Sequence, residues 1–313
     1  MRIAIFGAGG VGGYFGARLA LAGHDVVFIA RGKHLEAMKA FGLRIESATG
    51  ELIVDPVQAT DDPQQVRGAD VVMFCVKLWD VESAAAQLPA MLKPGGGCVI
   101  PFQNGVEAPA VVARHVGGER TLGGVAYIAA TIRAPGVVAH TGTMAQLRVG
   151  TLKPDQDARA RAFVDACKGA SIDCELSPDI TTTIWKKFIF LAPMSGCTSV
   201  ARQPIGIVRS DPDLRATFVA AVTETVTLAR ALNVPLESDI VDAQLKFLDR
   251  LPADMRSSMM NDLLYGNRLE APWLSGAVAR MSREKGLSAP VNATLYAALK
   301  PYIDGGATGA RKA

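Results

Sequence analysis

A glycine-rich run, a rim of polar residues at the ends of apolar runs and one oddly placed lysine supply the chemistry in this 313-residue chain. The run Gly7-Ala8-Gly9-Gly10-Val11-Gly12 reads GxGxxG and follows the apolar stretch 2–6. In such a run the first glycine, Gly7, makes a tight turn. The second, Gly9, lets backbone approach a pyrophosphate, and the third, Gly12, lets helix and strand pack closely. The pyrophosphate would rest on the first amides of the helix that follows. A purely structural glycine turn is the bland alternative. The strand before the run and the helix after it are the context that favours dinucleotide binding.

The choice of dinucleotide turns on the end of the second strand, which reads Ile29-Ala30-Arg31. An NAD-binding site of this type usually places Asp or Glu there for the ribose 2′-hydroxyl. Asp25 lies at the opposite, starting end of the strand. Arg31 suits a 2′-phosphate, because a guanidinium bonds phosphate with two charge-assisted hydrogen bonds. NADP is therefore expected, against the alternative of a solvated arginine. Two more apolar strands, 71–76 and 98–102, end in Lys77 and in Gln103-Asn104-Gly105. Each is ordinary alone, as a solvated strand end or a turn dipeptide. Together with Gly7 and Arg31 they mark one rim of a sheet, where ligands of open α/β sheets bind.

The lysine lies in the segment 181–197. On a helical projection Ile184, Phe188, Leu191 and Ser195 share one stripe, and Lys187 falls only about 40° beyond its edge. Lys186 points to the opposite face. An amine beside a buried stripe incurs desolvation unless it finds a partner or snorkels outward. Burial would lower its pKa toward the working range of a general acid. Pro193 is expected to limit this helix to about three turns. Glu270, ahead of Ala271-Pro272, is a candidate acidic partner, its charge favoured by the start of the next helix. By itself it reads as a common helix-start glutamate, and Ser257-Ser258 read as N-cap hydroxyls.

The elements that must position these groups change character along the chain. Strand, helix and strand over residues 2–30 make a βαβ unit, implying a parallel sheet with right-handed crossovers. A further β segment is expected over 121–152, with turns at Ala134-Pro135-Gly136 and Thr141-Gly142, then a helix over 155–169. From Asp179 onward the pattern is helical, with Asp211-Pro212 opening a helix to about Asn233. Further helices are expected near 237–250, 254–265, 272–285 and 290–300. The Met255, Met259 and Met260 stripe reads as packing. The expected fold class is α/β: an N-terminal Rossmann-type parallel-sheet domain, 1–175, followed by an all-helical substrate domain, 176–313.

Composition excludes other classes. Hydrophobic residues are 49% and charged residues 20% of the chain, too apolar for disorder. Thirty-three basic against thirty acidic residues give +3, too even to suggest nucleic-acid binding. The pair Arg311-Lys312 reads as a frayed tail. Five cysteines without CxxC spacing and four histidines without HExxH spacing suggest no metal site. No apolar run is long enough for a membrane span, and the expected location is the cytoplasm.

In their order and spacing these residues resemble the ketopantoate reductase (2-dehydropantoate 2-reductase) family, from Met1 to about Ile303. The specific marks are Val76-Lys77, Gln103-Asn104-Gly105, Trp185-x-Lys187, Ser257-Ser258-Met259, and Glu270 twelve residues after Ser258. The resemblance implies that NADPH gives hydride to the carbonyl carbon of a 2-oxo acid while Lys187 protonates the alkoxide. It implies that Glu270 orients the lysine and binds a substrate hydroxyl. Asn104 then lies near nicotinamide and substrate, Ser258 meets the substrate carboxylate, and Lys77 contacts the cofactor, with Gly7 to Gly12 and Arg31. The chain departs from the family where two substrate-facing asparagines would stand four and eight residues after the lysine. Leu191 and Ser195 occupy those positions, and a lost amide hydrogen bond costs about 1–3 kcal/mol. The resemblance implies that the substrate is ketopantoate or, with the same mechanism, another 2-oxo or 3-oxo acid, and Leu191 would admit a more apolar 2-oxo acid. A non-catalytic NADP-binding sensor is the remaining alternative, and the helical half is a candidate surface for a homodimer.

Overall fold

The computed structural model describes residues 1–152 and 157–306; Arg311-Lys312 lies outside them. The chain divides into two compact units, Met1–Gln103 with Glu107–Thr183, and Asn104–Val106 with the residues from Ile184 onward.

The first unit holds two sheets. One contains β1 (Arg2–Phe6), β2 (Asp25–Ile29), β5 (Gln58–Thr60), β6 (Val71–Phe74) and β7 (Cys98–Pro101). Its order is β5-β2-β1-β6-β7, and all four pairings are parallel. Every residue of β6 and β7 is buried, as their unbroken apolar sequences require. The order reverses beside β1, between β2 and β6, which is the switch point where open α/β sheets take their ligands. The second sheet joins β3 (Leu43–Ser47), β4 (Leu52–Val54), β9 (Val137–Thr151) and β10 (Asp173–Leu176), with β8 (Leu122–Ala134) paired antiparallel to β9. The β8–β9 hairpin turns at Pro135-Gly136, as expected. The second expected turn, at Thr141-Gly142, is a bulge within β9: Ile128 pairs Ala145, whereas Ala130 pairs His140. Gly142 supplies the positive φ that the excursion needs.

Helices α1 (Gly10–Leu21), α2 (Gly32–Phe41), α3 (Val81–Ala85), α4 (Leu88–Met91), α5 (Ala108–Val116) and α6 (Asp157–Gly169) complete this unit. Its core combines Ile3, Ile5, Phe15, Leu19 and Phe28 with Met38, Val71, Ile100 and Phe163.

The second unit is helical. Its elements are α7 (Ile180–Ala201), whose first turn belongs to the other unit, α8 (Ile205–Ser210), α9 (Pro212–Ala231), α10 (Ile240–Arg250), α11 (Ser258–Tyr265), α12 (Ser275–Glu284) and α13 (Pro290–Leu299). Asp211 caps α9 by accepting from the N–H groups of Asp213 and Leu214. Within α9, Glu224 accepts from the N–H groups of Val291 and Asn292, so one carboxylate caps α13 across the bundle. Phe188, Ile189, Phe218, Val222, Leu263 and Leu295 lie at its core, and Val106 packs against it. Pro193 does not end α7, contrary to the sequence expectation; the helix continues to Ala201. Proline costs one backbone hydrogen bond, but residues 192–199 are all buried, and their packing outweighs that loss.

Candidate dinucleotide loop and lysine centre

The glycine run occupies the turn between β1 and α1, at the switch point. Gly7 adopts φ +103°, and a Cβ there would lie 2.8 Å from backbone atoms of Cys75 and Val76. Only glycine fits that turn. A Cβ on Gly12 would meet the Gly7 carbonyl at 2.3 Å, so Gly12 sets the close seat of α1. Gly9, the N-cap of α1, faces open space: a Cβ there would have no neighbour within 4 Å. No side chain caps α1, and its opening N–H groups have no intrahelical acceptors. The N–H groups of Gly7 and Ala8 both donate to the Ile29 carbonyl at 3.1 Å. An uncapped helix start beside an open glycine fits an anionic diphosphate.

Arg31 is the N-cap of α2, directly after β2, and its guanidinium is largely exposed. It forms an ion pair with Asp80. Lys77, exposed three residues beyond β6, which ends at Phe74 rather than at the expected residue 76, sets its ammonium over the Trp79 ring at 5.5 Å. Sequence reasoning missed Asp80, because its contact with Arg31 joins residues 49 positions apart.

The lysine centre belongs to the second unit. Lys187 Nζ donates to Asn104 Oδ1 at 3.0 Å. Gly105 follows with φ +86°, and the Trp273 carbonyl lies 3.2 Å from where its Cβ would be. Burial lowers the Lys187 pKa to about 8, against the attraction of Glu270, which raises it. Lys187 retains some exposure along its length, while Lys186 points outward and pairs with Glu237. Glu270 is buried. Its setting corrects one expectation: a single 3-10 turn, Ala271–Trp273, follows it, and α12 begins only at Ser275. No long helix therefore begins directly after Glu270, and the helix-dipole expectation does not apply to it.

Of the two serines, Ser258 is exposed at the start of α11. Ser257 is its buried N-cap and accepts from the Met260 N–H at 3.1 Å. Thr198 donates to the Met194 carbonyl at 2.7 Å, and its Oγ1 lies 2.8 Å from Ser257 Oγ. The Ser257 hydroxyl thus fastens α11 to α7 and sets where Ser258 stands. Sequence reasoning missed the role of Thr198, since a threonine inside a helix carries no such signal. Leu191 is half-buried on α7, and Ser195 is buried with its hydroxyl unpartnered among the described residues.

No group of three metal-ligating side chains occurs among the described residues. Burial pushes Cys75 up to about 12, Cys98 to about 11 and Cys197 to about 12, so these thiols are not nucleophiles. No helix among the described residues is long and apolar enough to cross a membrane.

The ketopantoate reductase PanE/ApbA family model matches residues 3–154, and the model of its C-terminal part matches residues 179–303. An uncharacterized oxidoreductase of Bacillus subtilis, YkpB, is 29% identical over 96% of this chain and 99% of its own. A 2-dehydropantoate 2-reductase of Archaeoglobus fulgidus is 30% identical over 94% of this chain and 95% of its own. The crystal structure of a PanE/ApbA family ketopantoate reductase from Ralstonia eutropha superposes with a TM-score of 0.88 at 31% identity, covering 96% of this chain and 98% of the other. Both halves of the chain, matched in order and nearly end to end, belong to the ketopantoate reductase family of oxidoreductases.

Proposed function

We propose that the protein reduces the 2-oxo group of 2-dehydropantoate to the hydroxyl of pantoate with NADPH. The first unit binds the dinucleotide and the second carries the acid and the substrate contacts. The observation that carries this reading is the lysine centre: an amine held 3.0 Å from Asn104, with its pKa lowered to about 8 near buried Glu270. When bound, NADPH supplies the hydride.

Lys187, ammonium below about pH 8, donates a proton to the oxygen as negative charge builds on it. A fixed cation there stabilises charge that exists mainly in the transition state. Asn104 holds the amine by accepting its hydrogen bond, and Glu270 keeps it protonated near neutral pH. Ser258 and Ser195 offer hydroxyls to the substrate, whose carboxylate is assigned to Ser258. On the first unit, Gly7 to Gly12 cradle the pyrophosphate and Arg31 pairs with the 2′-phosphate, with Lys77 as a second cation.

Leu191 supports a second reading, in which the same chemistry acts on a more apolar 2-oxo acid. The deciding experiment follows NADPH oxidation by absorbance with ketopantoate, 2-oxoisovalerate and a short series of other 2-oxo acids, with Lys187→Ala alongside. Lysine-dependent turnover that is highest on ketopantoate supports the first reading. Lysine-dependent turnover on another acid alone transfers support to the second. Turnover that survives in Lys187→Ala removes the general-acid assignment.

A further inference from the structure

His34 lies on α2, three residues after Arg31. Both of its ring nitrogens are engaged by backbone. Nδ1 accepts from the Gly136 N–H at 3.0 Å, and Nε2 lies 2.9 Å from the Ala8 carbonyl. A backbone N–H can only donate, so Nδ1 must carry the lone pair. Nε2 therefore carries the proton and donates to Ala8. The ring is neutral, and burial lowers its pKa, which favours that form.

Ala8 is the second residue of the glycine run. Its N–H is held by Ile29 and its carbonyl by His34. Two residues on, Gly10 lies so close to β8 that a Cβ would come within 2.0 Å of the Ala130 carbonyl. The glycine loop is thus braced by the end of β2, by the β8–β9 hairpin and, through one imidazole, by the helix that Arg31 caps. We propose that His34 is a positioning residue for dinucleotide binding: its neutral, Nε2-protonated ring ties the Ala8 carbonyl to the Gly136 turn and so aims the opening amides of α1. This rests on the reading that the glycine loop holds a dinucleotide.

The test separates the two ring contacts. A glutamine amide nitrogen can take the place of Nε2 and donate to Ala8, whereas an asparagine oxygen can take the place of Nδ1 and accept from Gly136. Dissociation constants for NADPH and NADH are measured by titration calorimetry for the full-length wild type, His34→Ala, His34→Gln and His34→Asn, with melting temperatures and steady-state kinetics. Losing one backbone anchor of the loop should weaken both dinucleotides about ten-fold in His34→Ala. The loss should be equal for the two, because the pyrophosphate is common to them. His34→Gln should recover most of that affinity and His34→Asn little of it. The kcat at saturating NADPH should stay near wild type while the KM for NADPH rises.

Unchanged affinity in His34→Ala overturns the proposal, as does a Gln variant no better than Ala. Lowered melting temperatures with unchanged dissociation constants also overturn it, by making His34 a stability residue only. A wild type that binds neither dinucleotide sinks the underlying reading as well. Tight wild-type binding with no effect of His34 sinks this proposal alone.

Discussion

Glu270→Gln tests the lysine centre most directly. Two opposed effects set the Lys187 pKa at about 8: burial lowers it, and the Glu270 charge raises it. With a pKa of about 8, about nine-tenths of the amine is protonated at pH 7 and about half at pH 8. Replacing Glu270 by its neutral isostere removes the raising effect and leaves the burial. A further fall of about one unit, roughly 1.4 kcal/mol, would leave about half the amine protonated at pH 7 and about a tenth at pH 8. In the proposed mechanism the charged form is the acid, so activity should be lost as pH rises through the pKa. The alkaline limb of kcat/KM should therefore move from near pH 8 toward about pH 7 or below. From protonation alone the loss is about two-fold at pH 7 and about five-fold at pH 8. The assay is kcat/KM for the best 2-oxo acid between about pH 6 and pH 10, in wild type and variant at constant ionic strength. A limb that stays near pH 8 in Glu270→Gln, or moves upward, would refute the electrostatic coupling of the two residues.

Further predictions concern the cofactor, the loop and the substrate. Arg31→Asp should weaken NADPH far more than NADH in binding titrations; equal losses would contradict the 2′-phosphate assignment. Asp80→Asn should tighten NADPH by up to about five-fold and leave NADH unchanged, since an exposed ion pair competing for Arg31 is worth about 0–1 kcal/mol. Gly10→Ala should destabilise the fold by about 1–3 kcal/mol through backbone collision with Ala130 and weaken NADPH as the loop shifts, read by chemical denaturation and titration. Leu191→Asn should raise kcat/KM for ketopantoate relative to 2-oxoisovalerate by about ten-fold, from one regained hydrogen bond. An unchanged ratio would show that Leu191 does not face the substrate side chain.

Much of the architecture is legible in the residues alone. Continuous apolar runs announce β1, β6 and β7 because strands covered on both faces have no polar side to alternate. The Asp211-Pro212 pair announces the start of α9 because capping is local chemistry, decided within three residues. Pro193 misleads, since a local rule about one missing N–H says nothing of how tightly α7 is surrounded. The bulge at Thr141-Gly142 is legible as a turn but not as an excursion within β9, whose pairing continues on both sides.

The sequence by itself determined the residue types of the candidate groups in each unit and their order along the chain: the glycine run, Arg31 and Lys77 in the first, Asn104, Lys187 and Glu270 in the second. It also marked Lys187 as unusual, because helical periodicity is a property of neighbours. Tertiary structure alone decided the partners. Asn104 lies 83 residues from the lysine whose hydrogen bond it accepts, and Asp80 lies 49 residues from Arg31. His34 joins Ala8 to Gly136 across 26 and 102 residues. Hydrogen bonds and charges act over a few ångströms, and only the packed chain sets those distances; burial, which pulls the Lys187 pKa down, arises in the same way.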